Sequence, residues 1–133
     1  MGMPAAKQGD QVVATDIHIV LVPAPPGPPV PTPLPHPFIG IINGSLSSNV
    51  KIMGQPAAVL GSKAKATPPH IPLGGGPFQK NPTNEATIIK GSATVLINSK
   101  PAARMGDMAL TCNDPVDLPI GNVIAAGTVL IGG

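Results

Sequence analysis

The side chains of this chain best suited to chemistry are three histidines and one cysteine: His18, His36, His70 and Cys112. Imidazole nitrogen and thiolate sulfur bind borderline and soft metal ions. Three of the four recur in a pattern. His18 lies 14 residues after Pro4, His70 lies 14 after Pro56, and Cys112 lies 11 after Pro101. Each of those prolines opens a Pro-Ala-Ala motif. A lone histidine is usually a hydrogen-bonded surface or core residue, and a lone cysteine a small buried hydrophobe. The shared place after a repeated motif favours metal ligation for His18, His70 and Cys112. His36 stands outside the pattern, between Pro35 and Pro37. A single cysteine leaves no internal disulfide. Asp16, Glu85, Asp114 and Asp117 read as turn formers, since no two stand as a catalytic pair.

The motifs are Pro4-Ala5-Ala6-Lys7, Pro56-Ala57-Ala58-Val59 and Pro101-Ala102-Ala103-Arg104, followed by Gly9-Asp10, Gly61-Ser62 and Gly106-Asp107. Proline fixes φ and cannot donate to a ladder. Alanine allows close backbone approach, and glycine permits a turn with positive φ. Asp10 and Asp107 can accept hydrogen bonds from turn amides. A short strand precedes two of the motifs, with Val50 and Val95 each six residues before the proline. The first motif has no strand before it, and the last strand, Val129-Leu130-Ile131, has no motif after it. Counted across the two ends, Val129 stands eight steps before Pro4. The C-terminal strand is therefore expected to complete the N-terminal repeat, with the two ends side by side. Three repeats closing on themselves imply pseudo-threefold symmetry within one chain.

Between these units the chain reads as all-β. Gln11–Val22 is β-prone, Phe38–Ile42 is an apolar run ended by Asn43-Gly44, and short strands are expected at Ile88-Ile89, Thr94–Ile97, Asn122–Ala125 and Thr128–Ile131. Pro23–Pro37 reads as too proline-rich for a sheet and is expected to run as a polyproline II insert. It serves either as a stiff brace or as a PxxP docking site, and the absence of Lys or Arg beside it favours the brace. Leu73–Asn84, with three successive glycines, is expected to be loop.

Composition narrows the function. The 133 residues suit one domain, 1–133. Nineteen Pro and sixteen Gly approach the level of disordered chains, but 42% hydrophobic residues and a net charge of +2 do not fit disorder. The core must be built from aliphatic residues, since there are two Phe and no Trp or Tyr. Without a basic stripe or stacking aromatics there is no nucleic-acid surface. No apolar run approaches the length of a membrane span. The N-terminus, MGMPAAKQGD, lacks the regions of a signal peptide, so synthesis in the cytoplasm is expected.

Three Pro-Ala-Ala units, one a full Pro-Ala-Ala-Arg, with Gly-Ser and Val-x-Ile strands before them, resemble the PAAR-repeat family over nearly the whole chain. The second motif departs from the pattern, with Val59 and Ser62 in place of Arg and Asp. The resemblance implies a small β-rich cone, monomeric on its own, whose base caps a trimeric VgrG-like spike of a type VI secretion or related contractile injection machine. It implies a structural zinc ion near the point, held by three His and one Cys; here those are His18, His36, His70 and Cys112. Four protein ligands close the shell, and such an ion contributes roughly 10–16 kcal/mol in small zinc domains. It further implies delivery outside the cell or into a target cell, transient contact with the target membrane during puncture, and effector cargo. Two other functions stay open: an adaptor docking a separate effector through 23–37 or 73–84, and a small zinc hydrolase with an open metal position and a general base.

Overall fold

The computed structural model describes residues 2–132. Among them the chain forms strands and no helix. The strands are β1 (Met3–Pro4), β2 (Gln11–Val22), β3 (Val30–Gly44), β4 (Lys51–Ile52), β5 (Gln55–Pro56), β6 (Lys63–Ala66), β7 (Glu85–Ile88), β8 (Leu96–Ile97), β9 (Lys100–Pro101), β10 (Met108–Thr111), β11 (Leu118–Ile124) and β12 (Leu130–Ile131).

They fall into two layers that repeat three times. Each motif sits on a two-stranded ribbon: β12 with β1, β4 with β5, β8 with β9. Leu130, Lys51 and Leu96 face Pro4, Pro56 and Pro101 at equivalent register positions. The C-terminal strand thus completes the N-terminal repeat, as the spacing implied. After each motif comes an antiparallel pair, β2–β3, β6–β7 or β10–β11, and the three pairs close into a six-stranded barrel.

The junction between the layers is a backbone ring. Ala6 donates to the Ala103 carbonyl, Ala103 to Ala58 and Ala58 to Ala6, at 3.0, 3.1 and 3.0 Å. A second ring runs from Gln8, Leu60 and Met105 to the carbonyls of Pro56, Pro101 and Pro4, each 2.8–2.9 Å long. All six alanines of the motifs are buried, at 0–2% exposure. Ala6, Ala58 and Ala103 pack in the barrel core, and Ala5, Ala57 and Ala102 pack with Ile52, Ile97 and Ile131 in a second cluster. Gly9, Gly61 and Gly106 turn the chain from ribbon into barrel with φ of 93°, 94° and 88°, a region costly for other residues. Asp10 and Asp107 accept the amides of Lys7 and Arg104, and Ser62 accepts that of Val59. The divergent second motif therefore keeps the threefold backbone: a hydroxyl does the work of a carboxylate.

The proline-rich stretch departs from expectation. Residues 30–37 are not a polyproline II insert; they form the first half of β3, paired with β2 from Val22↔Val30 to Gln11↔Ile41. The reason is the period-two spacing of Pro31, Pro33, Pro35 and Pro37. The amides of Ile17, Ile19 and Leu21 donate away from β3, to Asn113, Asp114 and Pro77. Their cross-strand partners Pro35, Pro33 and Pro31 therefore occupy non-hydrogen-bonded pairs. Each missing N–H points to the far edge of β3, which β6 does not reach until Gly40. The prolines lie on the exposed face, while His36 and Phe38 point inward. An edge strand tolerates proline in that arrangement.

Candidate metal centre

At the barrel end away from the ribbons, β2 and β3 extend beyond the other strands. Asp16 and His18 are two apart on β2, so both face inward. His36 sits opposite Asp16 in the β2–β3 register. Cys112 follows the last residue of β10, and His70 comes from the segment after β6, its amide held by Asn84 Oδ1 at 2.9 Å.

The ligand atoms of Asp16, His18, His70 and Cys112 lie within 4.8 Å of one another. His18 Nε2 is 3.7 Å from Cys112 Sγ. Asp16 Oδ2 is 3.5 Å from the same sulfur and 2.9 Å from His70 Nε2. Thr111 Oγ1 and Asn113 Nδ2 donate to Asp16 Oδ1 at 2.6 and 3.5 Å. A tetrahedral shell with bonds of 2.0–2.3 Å has edges of about 3.3–3.8 Å. The two contacts to sulfur already have that length, and the shorter Asp16–His70 contact is a hydrogen bond.

Three of the four expected ligands, His18, His70 and Cys112, are thus brought together. His36 stands beside them, its ring centroid 5.6 Å from that of His18 and 5.9 Å from that of His70. Its Nε2 accepts the Leu73 amide at 3.3 Å, so Nδ1 carries the proton and donates to the Leu34 carbonyl at 2.9 Å. Asp16 was missed as a member of the cluster. It is a fully buried strand residue, not a turn former, and the strand period of two from His18 was the signal that placed it there.

Burial disfavours charge on both His18 and Cys112. The pKa of His18 is lowered, first by burial and then by His70. Its Nδ1 is buried without a hydrogen-bond partner, 3.5 Å from Asp114 Oδ2. Burial pushes the Cys112 thiol up to about 11, and Asp16 adds to the shift. A bound metal ion reverses the thiol preference by stabilising the thiolate, and it takes the neutral imidazole that burial already favours. Buried donor groups of both kinds around one point fit a metal ion.

The cluster is buried. Its side chains are 0–2% exposed. Both phenylalanines of the protein pack on it: Phe78 lies 5.7 Å from His18 and 5.3 Å from His36, and Phe38 lies 5.7 Å from His70. The 73–84 segment is loop, as expected, but it is fastened to the free edge of β2. Leu21 donates to Pro77 at 2.8 Å and Gln79 to Ile19 at 2.9 Å. A Cβ on Gly76 would lie 1.7 Å from the Leu21 carbonyl oxygen, so only glycine allows this approach. An apolar cleft lined by Pro37, Ile39, Pro68, Pro69, Ile71 and Leu73 opens on the outer side of His36 and His70.

None of the curated proteins compared with this sequence matches it. A family model described as PAAR motif matches residues 34–117 and again 78–133.

Proposed function

The chain belongs to the PAAR-motif family, the family of type VI secretion spike-tip proteins, and we propose that it caps a trimeric VgrG-like spike as a metal-stabilised point. The observation that carries this reading is the threefold ring of the Pro-Ala-Ala motifs within one chain. A single polypeptide with threefold backbone symmetry can sit on the axis of a trimer and meet all three subunits alike. The ribbon layer offers the surface: Ile52, Ile97 and Ile131 turn inward, while Leu96, Leu130, Met3 and Met53 are exposed at 62, 59, 45 and 55%. Apolar side chains so exposed fit a face that is covered in an assembly.

The metal belongs to the same reading. The ion is zinc, held by His18, His70 and Cys112, and it supplies cross-links between β2, the segment after β6 and the end of β10. A narrow end has too few side chains for a core of its own, so cross-links replace packing there. The burial of the donors, whose side chains are 0–2% exposed, supports a structural role rather than a hydrolytic one. A rigid point carries force into a target membrane, and the protein leaves the cell with the spike.

Native mass spectrometry of the protein mixed with its VgrG-like trimer tests the capping role. One chain per three spike subunits is expected; no complex, or three chains per trimer, overturns it.

A further inference from the structure

Asp16 is fully buried, and its one ion-pair partner among the described residues is His70. A buried carboxylate is unfavourable without a counter-charge. Thr111 and Asn113 hold Oδ1 from behind. Oδ2 is left aimed between His70 Nε2 and Cys112 Sγ, at 2.9 and 3.5 Å. Both atoms can donate to a cation, and their 2.9 Å separation is close to the edge of about 3.3 Å in a shell with 2.0 Å bonds. Oδ1 is tied to Thr111 and Asn113, so Oδ2 stays aimed at that point. His36 stands outside the set of ligand atoms that lie within 4.8 Å of one another, and its Nε2 accepts the Leu73 amide at 3.3 Å.

We propose that Asp16 Oδ2 is a donor to the metal, completing the shell of His18, His70 and Cys112 in place of His36. This rests on the metal reading above. It makes the shell one negative charge richer than a three-histidine, one-cysteine set, and so harder in its preference for cations.

The test titrates the full chain, stripped of metal, with cobalt(II) and then zinc(II), and follows the cobalt absorption bands. The variants are Asp16→Asn, Asp16→Glu and His36→Gln. Asp16→Asn is expected to weaken cobalt binding by about a hundredfold or more, the upper end of what loss of an outer-shell partner costs, and to shift the visible bands. His36→Gln is expected to keep the bands and to lose less than about tenfold in affinity. Asp16→Glu retains a carboxylate and is expected to bind cobalt with shifted bands, which keeps the question answerable if Asp16→Asn does not fold. Wild-type affinity and spectrum in Asp16→Asn or in Asp16→Glu overturn the assignment, as does loss of binding in His36→Gln. A wild-type chain that binds neither ion overturns the metal reading itself.

Discussion

The amide of Ala5 donates to the carbonyl of Val129 at 2.9 Å, joining the two ends of the chain. The same bond joins Ala57 to Val50 and Ala102 to Val95, each at 3.0 Å. Two repeats are continuous in sequence and the third is assembled from both ends, yet the backbone does not distinguish them. The fold is a ring cut open within one of its three repeats.

That equivalence gives a test. Ala6→Val, Ala58→Val and Ala103→Val each press a larger side chain into the alanine ring. Overpacking of this kind costs about 1–3 kcal/mol, which in a domain this size lowers the melting temperature by roughly 3–12 °C. The three losses are expected to be similar, measured by calorimetry. A loss at one position and none at the others would show that the ring is not shared evenly.

Ser62 carries the second motif without an Asp. Its hydroxyl accepts the Val59 amide at 2.9 Å and donates to the Ser45 carbonyl at 2.8 Å. Ser62→Ala leaves both groups without that partner, and a loss of about 1–3 kcal/mol is expected in denaturant unfolding. A neutral outcome would mean that the turn does not depend on the bond.

Gly76→Ala cannot keep the 76–79 segment on β2, since the new methyl meets the Leu21 carbonyl oxygen. Phe78 then lifts from His18 and His36. Faster hydrogen exchange at Leu21 and Gln79 is expected, with the ribbon layer unchanged. Unchanged exchange at Leu21 would contradict the fastening.

Stability of the metal-free chain should peak near neutral to mildly alkaline pH. The pKa of His18 is lowered from 6.5, chiefly by burial, so below pH 6.5 the unfolded chain takes up the proton first and stability falls with pH. The Cys112 thiol is raised from 9.0 to about 11, again chiefly by burial. Between those values the unfolded chain loses its proton first and stability falls as pH rises. Melting with a chelator at about pH 5, 8 and 10 checks both limbs. A metal ion bound by Cys112 would reverse the thiol preference, so metal affinity is expected to rise about tenfold per pH unit over the neutral range, one proton leaving the thiol per ion.

Much of this was legible in the residues. The Pro-Ala-Ala spacing placed the ring, its closure by Val129–Ile131, and three cluster members. Two features were not. The prolines at 31, 33, 35 and 37 read as sheet-breaking because composition hides parity: four missing donors on one edge are harmless where that edge has no partner. Asp16 read as a turn former because no paired carboxylate marked it, and its meaning depends on Thr111, Asn113 and His70, which lie 54–97 residues away. The second motif departs from the pattern at Val59 and Ser62, yet a hydroxyl and a carboxylate accept the same amide.

The most direct measurement is metal content per chain by elemental analysis, for the wild-type protein and for Cys112→Ser, both purified without added metal. About one zinc per wild-type chain, lost on the substitution, is the result expected of a threefold fold whose far end is cross-linked by an ion. A folded wild-type protein free of metal, or a substituted protein that retains it in full, would contradict the account.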